Sequence, residues 1–428
     1  MTKINKLIMH GFKSFARRTE LLFNNDFNCV VGPNGSGKSV SGRSKVLLAN
    51  GEEIQIKELV ESKLKKAAHV KTLNDGVYCE SKEPINIISL NPHSMKSEEY
   101  TVSKFIKREG ELHLYEIETR TGKKVRCTGC HPVMVFKNGK VVSSLVRNLN
   151  ETDVIATPRI IHTSSLSKAK DFARLFGYIV GDGYITTNRI EFINKDNEII
   201  EDFKELILKL FDCKPKYEKI TNGNTRLIYR EKTFVNKIVS LIKNKHNKYT
   251  TEYKYIPNNF LRKDINTISN LLAGLYDTDG TVDKTKNVVE FCSKNEKLAN
   301  QIQRLLLRFG IIAIKKERMC CASNTSNKTK RKYYYLYISG YNNLQRFYDN
   351  IKLKCRYKLE RLESHLNENK ISNPNLDVLP KETNKIIKKA VNLLGIKYKP
   401  LRAEYPRLAA YIEDRCSPTR DGLQEIMP

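Results

Sequence analysis

Hydrophobic and polar residues alternate along short runs between Val46 and Pro158, which is the pattern of β-strands with one buried face. Residues 112–119, Leu-His-Leu-Tyr-Glu-Ile-Glu-Thr, form one such run. Turn signals separate the runs at Asn50-Gly51, Arg120-Thr121-Gly122 and Asn138-Gly139. No helical period in this part is longer than the one from Ile56 to Leu64. These residues therefore predict an all-β module.

From Ala169 onward the apolar positions follow a helical period, and one pattern occurs twice. Residues 175–183 are Leu-Phe-Gly-Tyr-Ile-Val-Gly-Asp-Gly, and residues 272–280 are Leu-Ala-Gly-Leu-Tyr-Asp-Thr-Asp-Gly. Each copy is followed by a strand that contains Glu-Phe and then by a helix, at 198–211 and 296–309. Two copies of one unit predict a pseudo-twofold domain rather than a solenoid.

The repeated motif predicts a close pair of helices. Four small residues would let the two backbones approach: Gly177, Gly181, Gly274 and Thr278. Gly183 and Gly280 are expected to end the helices in the left-handed conformation. The last helical residue of each copy is then an aspartate.

The twofold axis places these two aspartates, Asp182 and Asp279, near each other. Close carboxylates repel unless they share cations, and Mg²⁺ prefers oxygen ligands. Metals held there could activate water at a phosphodiester. The alternative is that the aspartates merely end the helices, but a carboxylate is unfavourable at the negative end of a helix dipole.

The paired motif resembles the LAGLIDADG, or dodecapeptide (DOD-type), motif of homing endonucleases. The resemblance implies a double-strand DNA endonuclease with Asp182 and Asp279 as catalytic metal ligands, Mg²⁺ as cofactor, and sheets that lie in the major groove of a long target. The family also uses basic residues near the metals, and Arg226 and Lys332 are candidates. Basic and aromatic residues interleave in 328–337, as expected of a strand on DNA, although a solvated hairpin is the alternative.

Residues 1–38 predict a β-hairpin, a buried strand at 27–31 and a glycine-rich loop. Residues 32–39, Gly-Pro-Asn-Gly-Ser-Gly-Lys-Ser, fit the phosphate-binding pattern G-x-x-x-x-G-K-[ST]. The predicted nucleotide-binding residues are Gly32, Asn34, Gly35, Gly37, Lys38 and Ser39. No helix pattern follows the loop, although such a loop should open a helix. With Phe12-Lys13-Ser14-Phe15, it resembles the ATPase head of the structural-maintenance-of-chromosomes (SMC) family, interrupted after Lys38. The resemblance implies ATP as a ligand only once the loop is rejoined to the rest of its host.

A second string of residues that could take part in a reaction, Cys127-Thr128-Gly129-Cys130-His131, lies in the all-β module. It matches the haem-attachment pattern, but the sequence carries no export signal, which argues against haem. No second Cys/His pair has zinc-finger spacing. With Ser39 and residues 153–158, the string resembles the Hint splicing domain of an intein.

The resemblance implies that Ser39 attacks the carbonyl of Lys38, that His131 protonates the departing amine, and that Thr128 orients the amide. The alternative for Thr128 and His131 is a satisfied hydroxyl and imidazole in a β-core.

The chain has 76 Lys and Arg residues against 47 Asp and Glu, a net charge of +29. This excess indicates a nucleic-acid partner, with a lysine-rich proteome as the alternative. The sequence has no apolar run of membrane-spanning length and no signal-peptide core. We therefore expect a cytoplasmic protein with reduced cysteines and no membrane partner.

Residues 373–380 predict a linker, and three helices are expected after it, at 382–394, 400–414 and 419–427. These helices resemble the DNA-contacting accessory segment of archaeal inteins, and packing against the endonuclease is an equal alternative. The sequence reaches Pro428 without the His-Asn that closes an intein. Splicing is therefore expected to be incomplete, with the remainder either encoded separately, as a partner fragment, or lost.

The expected fold class is α+β multidomain, in four parts. They are an ATPase head fragment with a β-hairpin (1–38), an all-β Hint domain (39–165), a pseudo-twofold αββαββα LAGLIDADG endonuclease (166–365) and a helical accessory segment (366–428). The expected activity is metal-dependent, site-specific DNA cleavage. The alternatives are a decayed DNA-binding remnant of an intein and an ATP-binding chromosome-maintenance fragment.

Overall fold

The computed structural model describes residues 6–9, 19–22, 40–73, 76–108, 114–165, 167–242, 254–321, 329–367 and 377–424. The predicted phosphate loop, the strand at 27–31 and Ser39 lie outside these ranges, as does the first half of the predicted linker. The chain divides into two compact units. The first comprises Met1–Glu118 and Lys124–Thr157, and the second comprises Thr119–Lys123 and Pro158–Pro428.

The first unit consists of short antiparallel strands, as the alternating pattern predicts. The strands are β1 (Lys6–Met9), β2 (Thr19–Leu22), β3 (Lys45–Leu47), β4 (Glu53–Gln55), β5 (Lys71–Leu73), β6 (Gly76–Glu80), β7 (Asn86–Leu90), β8 (Ser97–Thr101), β9 (Lys104–Arg108), β10 (Leu114–Glu118), β11 (Lys124–Thr128), β12 (Pro132–Lys137), β13 (Lys140–Leu145) and β14 (Val154–Ile155). Helix α1 (Ile56–Lys66) packs its buried Ile56, Leu59 and Val60 against Ile87 and Phe105.

Turns join the paired strands of this unit where the sequence predicts them. Gly51, Asn138 and Gly139 have positive φ angles of 88°, 53° and 75°, which explains glycine and asparagine at these positions. The pairs are β1–β2, β3–β4, β7–β8 and β10–β11, and the three-stranded sheets have the orders β5-β6-β9 and β13-β12-β14. The hairpin predicted at the N-terminus is therefore present.

The two copies of the repeat have the same order of elements. The first contains α2 (Lys170–Asp182), β15 (Gly183–Ile185), β16 (Ile190–Asn194), α3 (Asn197–Phe211), β17 (Tyr217–Thr221), β18 (Asn224–Tyr229) and α4 (Lys232–Ile242). After the short α5 (Asn258–Leu261), the second contains α6 (Ile265–Thr278), β19 (Gly280–Val282), β20 (Val288–Ser293), α7 (Glu296–Leu306), β21 (Ala313–Cys320), β22 (Arg331–Ser339) and α8 (Tyr341–Asn350), followed by α9 (Arg356–Asn367).

Each copy forms a four-stranded antiparallel sheet with the same topology. The strand orders are β15-β16-β18-β17 and β19-β20-β22-β21. One continuous core includes residues of both sheets and of the helices that cover them, with Phe176, Phe192, Phe203, Phe291 and Phe347 fully buried. The other face of each sheet is open.

Helices α2 and α6 meet at the pseudo-twofold axis along the small residues that the sequence singles out. A Cβ atom on Gly177 would lie 2.5 Å from the carbonyl oxygen of Leu271, and one on Gly274 would lie 2.5 Å from that of Arg174. A Cβ on Gly181 would strike the side chain of Thr278. The predicted close approach of the two backbones is therefore confirmed.

The prediction that Gly183 and Gly280 adopt the left-handed conformation is wrong. Gly183 has φ −79° and ψ 135°, and Gly280 is not among the residues with positive φ. A Cβ at either position would instead collide with a carbonyl of the helix that precedes it, Ile179 or Tyr276. These glycines let the chain pass directly from the helix into a strand. Helix α2 ends at Asp182 as predicted, whereas α6 ends at Thr278 and Asp279 is its C-cap.

The C-terminal segment of the second unit contains α10 (Thr383–Leu393), α11 (Tyr398–Glu404), α12 (Pro406–Ile412) and α13 (Arg420–Gln424). The single helix predicted at 400–414 is therefore two helices. Pro406 lacks the N–H that would continue α11 and stands instead at the first position of α12. None of the described helices is long and apolar enough to cross a membrane.

Candidate active site

Asp182 and Asp279 lie at the C-terminal ends of α2 and α6, so the helix interface brings the two carboxylates together. Both side chains are partly exposed, yet desolvation dominates their ionisation. Burial raises the pKa of Asp279 to about 7, and the neighbouring Asp182 adds to that rise. Burial also raises the pKa of Asp182, while a 2.7 Å hydrogen bond from Asn194 opposes the rise.

Two buried lysines flank the carboxylates, one from each copy of the repeat. Lys254 Nζ donates to the carbonyl oxygens of Gly181 (2.9 Å) and Gly183 (2.7 Å). Lys358 Nζ donates to those of Tyr276 (2.9 Å), Asp277 (2.6 Å) and Gly280 (2.6 Å).

The lysines therefore occupy the negative ends of the two helix dipoles. Both stabilise the ionised aspartates, and burial lowers the pKa of both Lys254 and Lys358.

The two basic candidates from the sequence, Arg226 and Lys332, lie elsewhere. Arg226 bonds Glu191 and Lys332 pairs with Glu317 at 3.0 Å, both on the sheets. Neither is among the charges that shift the pKa of the aspartates. Lys254 and Lys358 were missed because they are far in sequence from the motif and carry no local pattern. The available signal was a lysine late in each copy.

A buried ion-pair network fixes the helices that carry the aspartates. Arg174 of α2 donates to Asp277 of α6 (3.0 Å) and to Asp202 of α3 (2.8 Å). Asp277 also accepts from the backbone N–H groups of Lys354 and Cys355, at 2.9 and 3.0 Å. This network joins both copies just behind the site, so the positions of the carboxylates depend on it.

A cavity of about 230 Å³ opens beside Asp182. It is polar, and its lining includes Asn194, Lys195, Asp196, Asn224, Tyr357 and Lys358. Within the described residues, no group of three or more His, Cys, Asp or Glu side chains could hold a metal ion. Two close carboxylates still offer the hard oxygen donors that Mg²⁺ takes when waters and a phosphate complete its shell. The residues present therefore fit a divalent cation shared between Asp182 and Asp279.

The open face of the second sheet is rich in tyrosine and cationic residues. Tyr335 and Tyr337 stack with ring centroids 5.9 Å apart, and the Arg318 guanidinium lies 5.4 and 5.3 Å from them. Lys294 lies 5.6 Å from the Tyr333 ring. Such a surface suits a nucleic acid, because cations neutralise phosphates while aromatic rings add apolar contact.

The predicted splicing residues Thr128 and His131 lie at the end of β11 in the first unit. Thr128 is 3% exposed, and its hydroxyl is 3.2 Å from Cys130 Sγ. The His131 N–H donates to the Thr128 carbonyl at 3.0 Å, which closes a tight turn between them. Val40 forms an antiparallel bridge with Cys127, the residue before Thr128. Val40, the residue after Ser39 in sequence, therefore lies beside the strand that ends at Thr128. Ser39 itself lies outside the described residues.

Comparison with known families identifies the domain class of the second unit. Residues 169–250 and 266–352 match the LAGLIDADG-like domain, one segment for each copy of the repeat. Residues 6–40 match the AAA domain. The chain thus contains segments similar to a LAGLIDADG-like domain and to an AAA domain.

Individual relatives match most of the chain. Over 359 residues it is 31% identical to the replication factor C small subunit of Methanocaldococcus jannaschii, a match that covers 83% of this chain and 18% of that protein. It is 27% identical to the replicative DNA helicase DnaB of Synechocystis, with 80% and 38% covered. The chain therefore spans well under half the length of either relative. Among solved structures, the PabCDC21-1 intein is 32% identical over 30% of this chain and 76% of that one, with a TM-score of 0.27.

Proposed function

We propose that this chain is a site-specific endonuclease of the LAGLIDADG type that makes metal-dependent double-strand cuts in DNA. The observation that carries the proposal is the pair of aspartates at the ends of α2 and α6, each accompanied by a buried lysine. Burial and the neighbouring Asp182 raise the pKa of Asp279, and a purely structural role gives no reason to place the two carboxylates together. A shared cation would relieve that repulsion.

The chain's own residues would divide the work in the following way. Asp182 and Asp279 would hold divalent metal, Mg²⁺ in the cell, which supplies an activated water and stabilises the leaving oxygen. Lys358 uses three hydrogen bonds on backbone carbonyls, so it would act through its charge rather than as a proton donor. Both lysines would stabilise the negative charge that develops on the phosphate. The open sheet faces would hold the duplex in register.

Plasmid cleavage tests this activity. The full chain, in Mg²⁺, should linearise a plasmid that carries the host ATPase gene without the interruption. Asp182→Asn and Asp279→Asn should each abolish cutting, because each removes a metal-binding carboxylate. Asp212→Asn is the matched control: Asp212 is exposed with φ 47°, a conformation that asparagine tolerates, and it should cut normally. Cutting that survives both active-site changes would overturn the proposal.

We also propose that the endonuclease belongs to an intein inserted in an ATPase of the SMC family. The relatives support this because a clamp-loader subunit and a helicase, two different proteins, each contain a segment similar to most of this chain. A segment found inside unrelated hosts is more consistent with a mobile insertion than with a host activity. The phosphate-loop pattern and the match to the AAA domain at 6–40 support an ATPase host.

In this proposal Ser39 opens the intein and the first labile bond is Lys38–Ser39. The Ser39 hydroxyl attacks the Lys38 carbonyl carbon and the C–N bond breaks, so an amide becomes an ester and the serine amine is released. His131 supplies the proton that the amine takes, the proton lost by the Ser39 hydroxyl restores the imidazolium, and Thr128 orients the amide.

Incubation with a strong thiol nucleophile should release residues 1–38 slowly. Ser39→Ala should prevent this release, and His131→Ala should slow it. Equal release from Ser39→Ala would contradict the assignment. We expect no measurable ATP turnover from the chain as it stands, because the phosphate loop is not followed by its helix.

A further inference from the structure

A buried carboxylate holds two arginines on the open face of the first sheet. Along β16, Ile190 and Phe192 face the core, so Glu191 lies on the opposite face. Its side chain is nevertheless only 4% exposed, because Arg226 and Arg189 cover it. Nothing in the proposed catalytic machinery uses these three residues.

The geometry of Arg226 leaves one edge of its guanidinium available. Arg226 Nε donates to Glu191 Oε2 at 3.0 Å, and Nη2 also bonds that oxygen. The Arg226 side chain remains 46% exposed. Within the described residues Nη1 has no hydrogen-bond partner, so the fork formed by Nη1 and the outer N–H of Nη2 points away from the carboxylate. The cross-strand neighbours of Arg226 on this face are Ile193 and Lys219, and both are exposed.

The structure assigns Arg226 the role of reading a guanine in the major groove of the target, with Glu191 as the positioning residue. This inference rests on the proposed endonuclease function. The free fork matches the O6 and N7 acceptors of guanine, which is the commonest specific contact that arginine makes with DNA. A contact to phosphate tolerates many side-chain orientations, whereas base reading requires one. The carboxylate imposes that orientation before DNA binds.

The same strand locates the guanine relative to the cut. Asn194, three residues beyond Glu191 on β16, hydrogen-bonds Asp182. At about 3.3 Å per residue, Glu191 is on the order of 10 Å from Asn194 along the strand. Arg226 lies opposite Ile193, between those two residues, and reaches toward Glu191. The guanine should therefore lie within roughly five base pairs of the cleaved bond, in the half of the target that the first sheet contacts.

The second sheet does not repeat this arrangement. Glu290 stands at the position of Glu191 in the repeat, but Tyr335 takes the position of Arg226. The Tyr335 ring stacks on Tyr337, and Arg318 of the neighbouring strand lies against both rings. Among the described residues no hydrogen bond joins Glu290 to an arginine. The fixed fork is therefore a feature of the first half, and the two halves of the target should be read differently.

Selection from randomised duplexes tests the inference without requiring cleavage. The full chain, in EDTA, is used to retain duplexes from a randomised pool, and the retained DNA is sequenced. The wild type should prefer guanine at one position by roughly 5- to 150-fold, the discrimination of a bidentate contact. Arg226→Ala should lose the preference at that position alone. Glu191→Gln should weaken it there, because the fork is no longer held by a charge.

Lys219→Ala is the matched control, since Lys219 pairs with Arg226 across the strands on the same face. It should weaken binding to all sequences while every base preference persists. An Arg226→Ala profile identical to that of the wild type would overturn the inference, and so would a wild-type pool without any enriched position. The proposed endonuclease function is judged separately, by plasmid cleavage. Retention of the other enriched positions in Arg226→Ala shows that the variant is folded.

Discussion

Burial and the nearby Asp182 raise the pKa of Asp279 to about 7, far above its ordinary 3.8. In the metal-free protein, the folded state therefore holds a proton that the unfolded chain releases near pH 4. The stabilisation that proton binding gives the folded state is fully present below pH 4 and is lost as the pH rises through 7. The asparagine of Asp279→Asn cannot ionise, so the variant does not lose this stability. Its unfolding free energy relative to the wild type should therefore increase by on the order of 2–3 kcal/mol from pH 5 to pH 8.

Urea unfolding in EDTA at several pH values measures this difference. Asp212→Asn serves as the control, because it makes the same change of side chain at an exposed position outside the aspartate pair. A constant gap between Asp279→Asn and the wild type would show that the carboxyl is already ionised at pH 5.

The two lysines give a second prediction at this scale. Lys254→Met or Lys358→Met should lower the rate of plasmid cleavage by about 10²–10³-fold, the usual cost of removing one group that stabilises transition-state charge. Each change also leaves helix-end carbonyls without their donor, so stability should fall as well. Cleavage rates must be compared at a temperature where circular dichroism shows the variants folded.

Lys263→Met is the matched control for these variants. Lys263 bonds the hydroxyl of Ser167 and precedes α6, at the opposite end of that helix from Asp279. It should cut at the wild-type rate. A Lys254→Met protein that also cuts at the wild-type rate would exclude this lysine from the site.

At the scale of elements, the α2–α6 contact sets the distance between the two carboxylates. Gly177→Ala would place a methyl group 2.5 Å from the Leu271 carbonyl, and backbone cannot move aside as a flexible side chain can. We expect a loss of about 1–3 kcal/mol in unfolding free energy. Plasmid cleavage should be lost even at temperatures where the variant is folded, because the helices are forced apart.

Gly395→Ala provides the comparison. Gly395 has φ 66° and nothing within 4 Å of an added Cβ, so the cost there is conformational strain of about 1–2 kcal/mol. Cleavage should be unaffected, because the residue lies in the turn after α10. Equal cleavage by the Gly177→Ala variant would show that the helix spacing tolerates change.

The repeat and its helix interface could be predicted because small residues at helical spacing leave a pattern in the sequence. The reason for Gly183 could not be predicted, since a left-handed cap and a close pass over a carbonyl both demand glycine. The lysines beside the aspartates were hidden for a different reason. Tertiary folding alone brings Lys254 to the end of α2, and no local period marks it. Pro406 itself signals the break between α11 and α12. The prediction nevertheless continued one helix through it, because apolar residues follow a helical pattern on both sides.

At the scale of the whole molecule, the net charge of +29 predicts strong nonspecific attraction to DNA. If six to ten phosphates are contacted, raising the salt concentration from 50 to 200 mM should weaken binding to an arbitrary duplex by roughly 10³–10⁵-fold. Fluorescence anisotropy of a labelled duplex measures this slope.

Single charge removals locate the surface responsible. Lys316→Ala, on the exposed open face of the second sheet, should reduce the salt slope by about one. Lys66→Ala, on helix α1 of the first unit, should leave it unchanged. An unchanged salt slope for Lys316→Ala together with a reduced slope for Lys66→Ala would place the duplex on the first unit instead.

The contact between α2 and α6 is symmetric at Gly177 and Gly274. A Cβ added to either glycine would lie 2.5 Å from a carbonyl oxygen of the other helix. Each half therefore presents the same kind of surface that it packs against. A protein made of one half alone would expose the backbone of this helix to water. Two copies of that half could cover this backbone by pairing with each other as a homodimer. On the proposed endonuclease function, such a homodimer would cut a palindromic sequence.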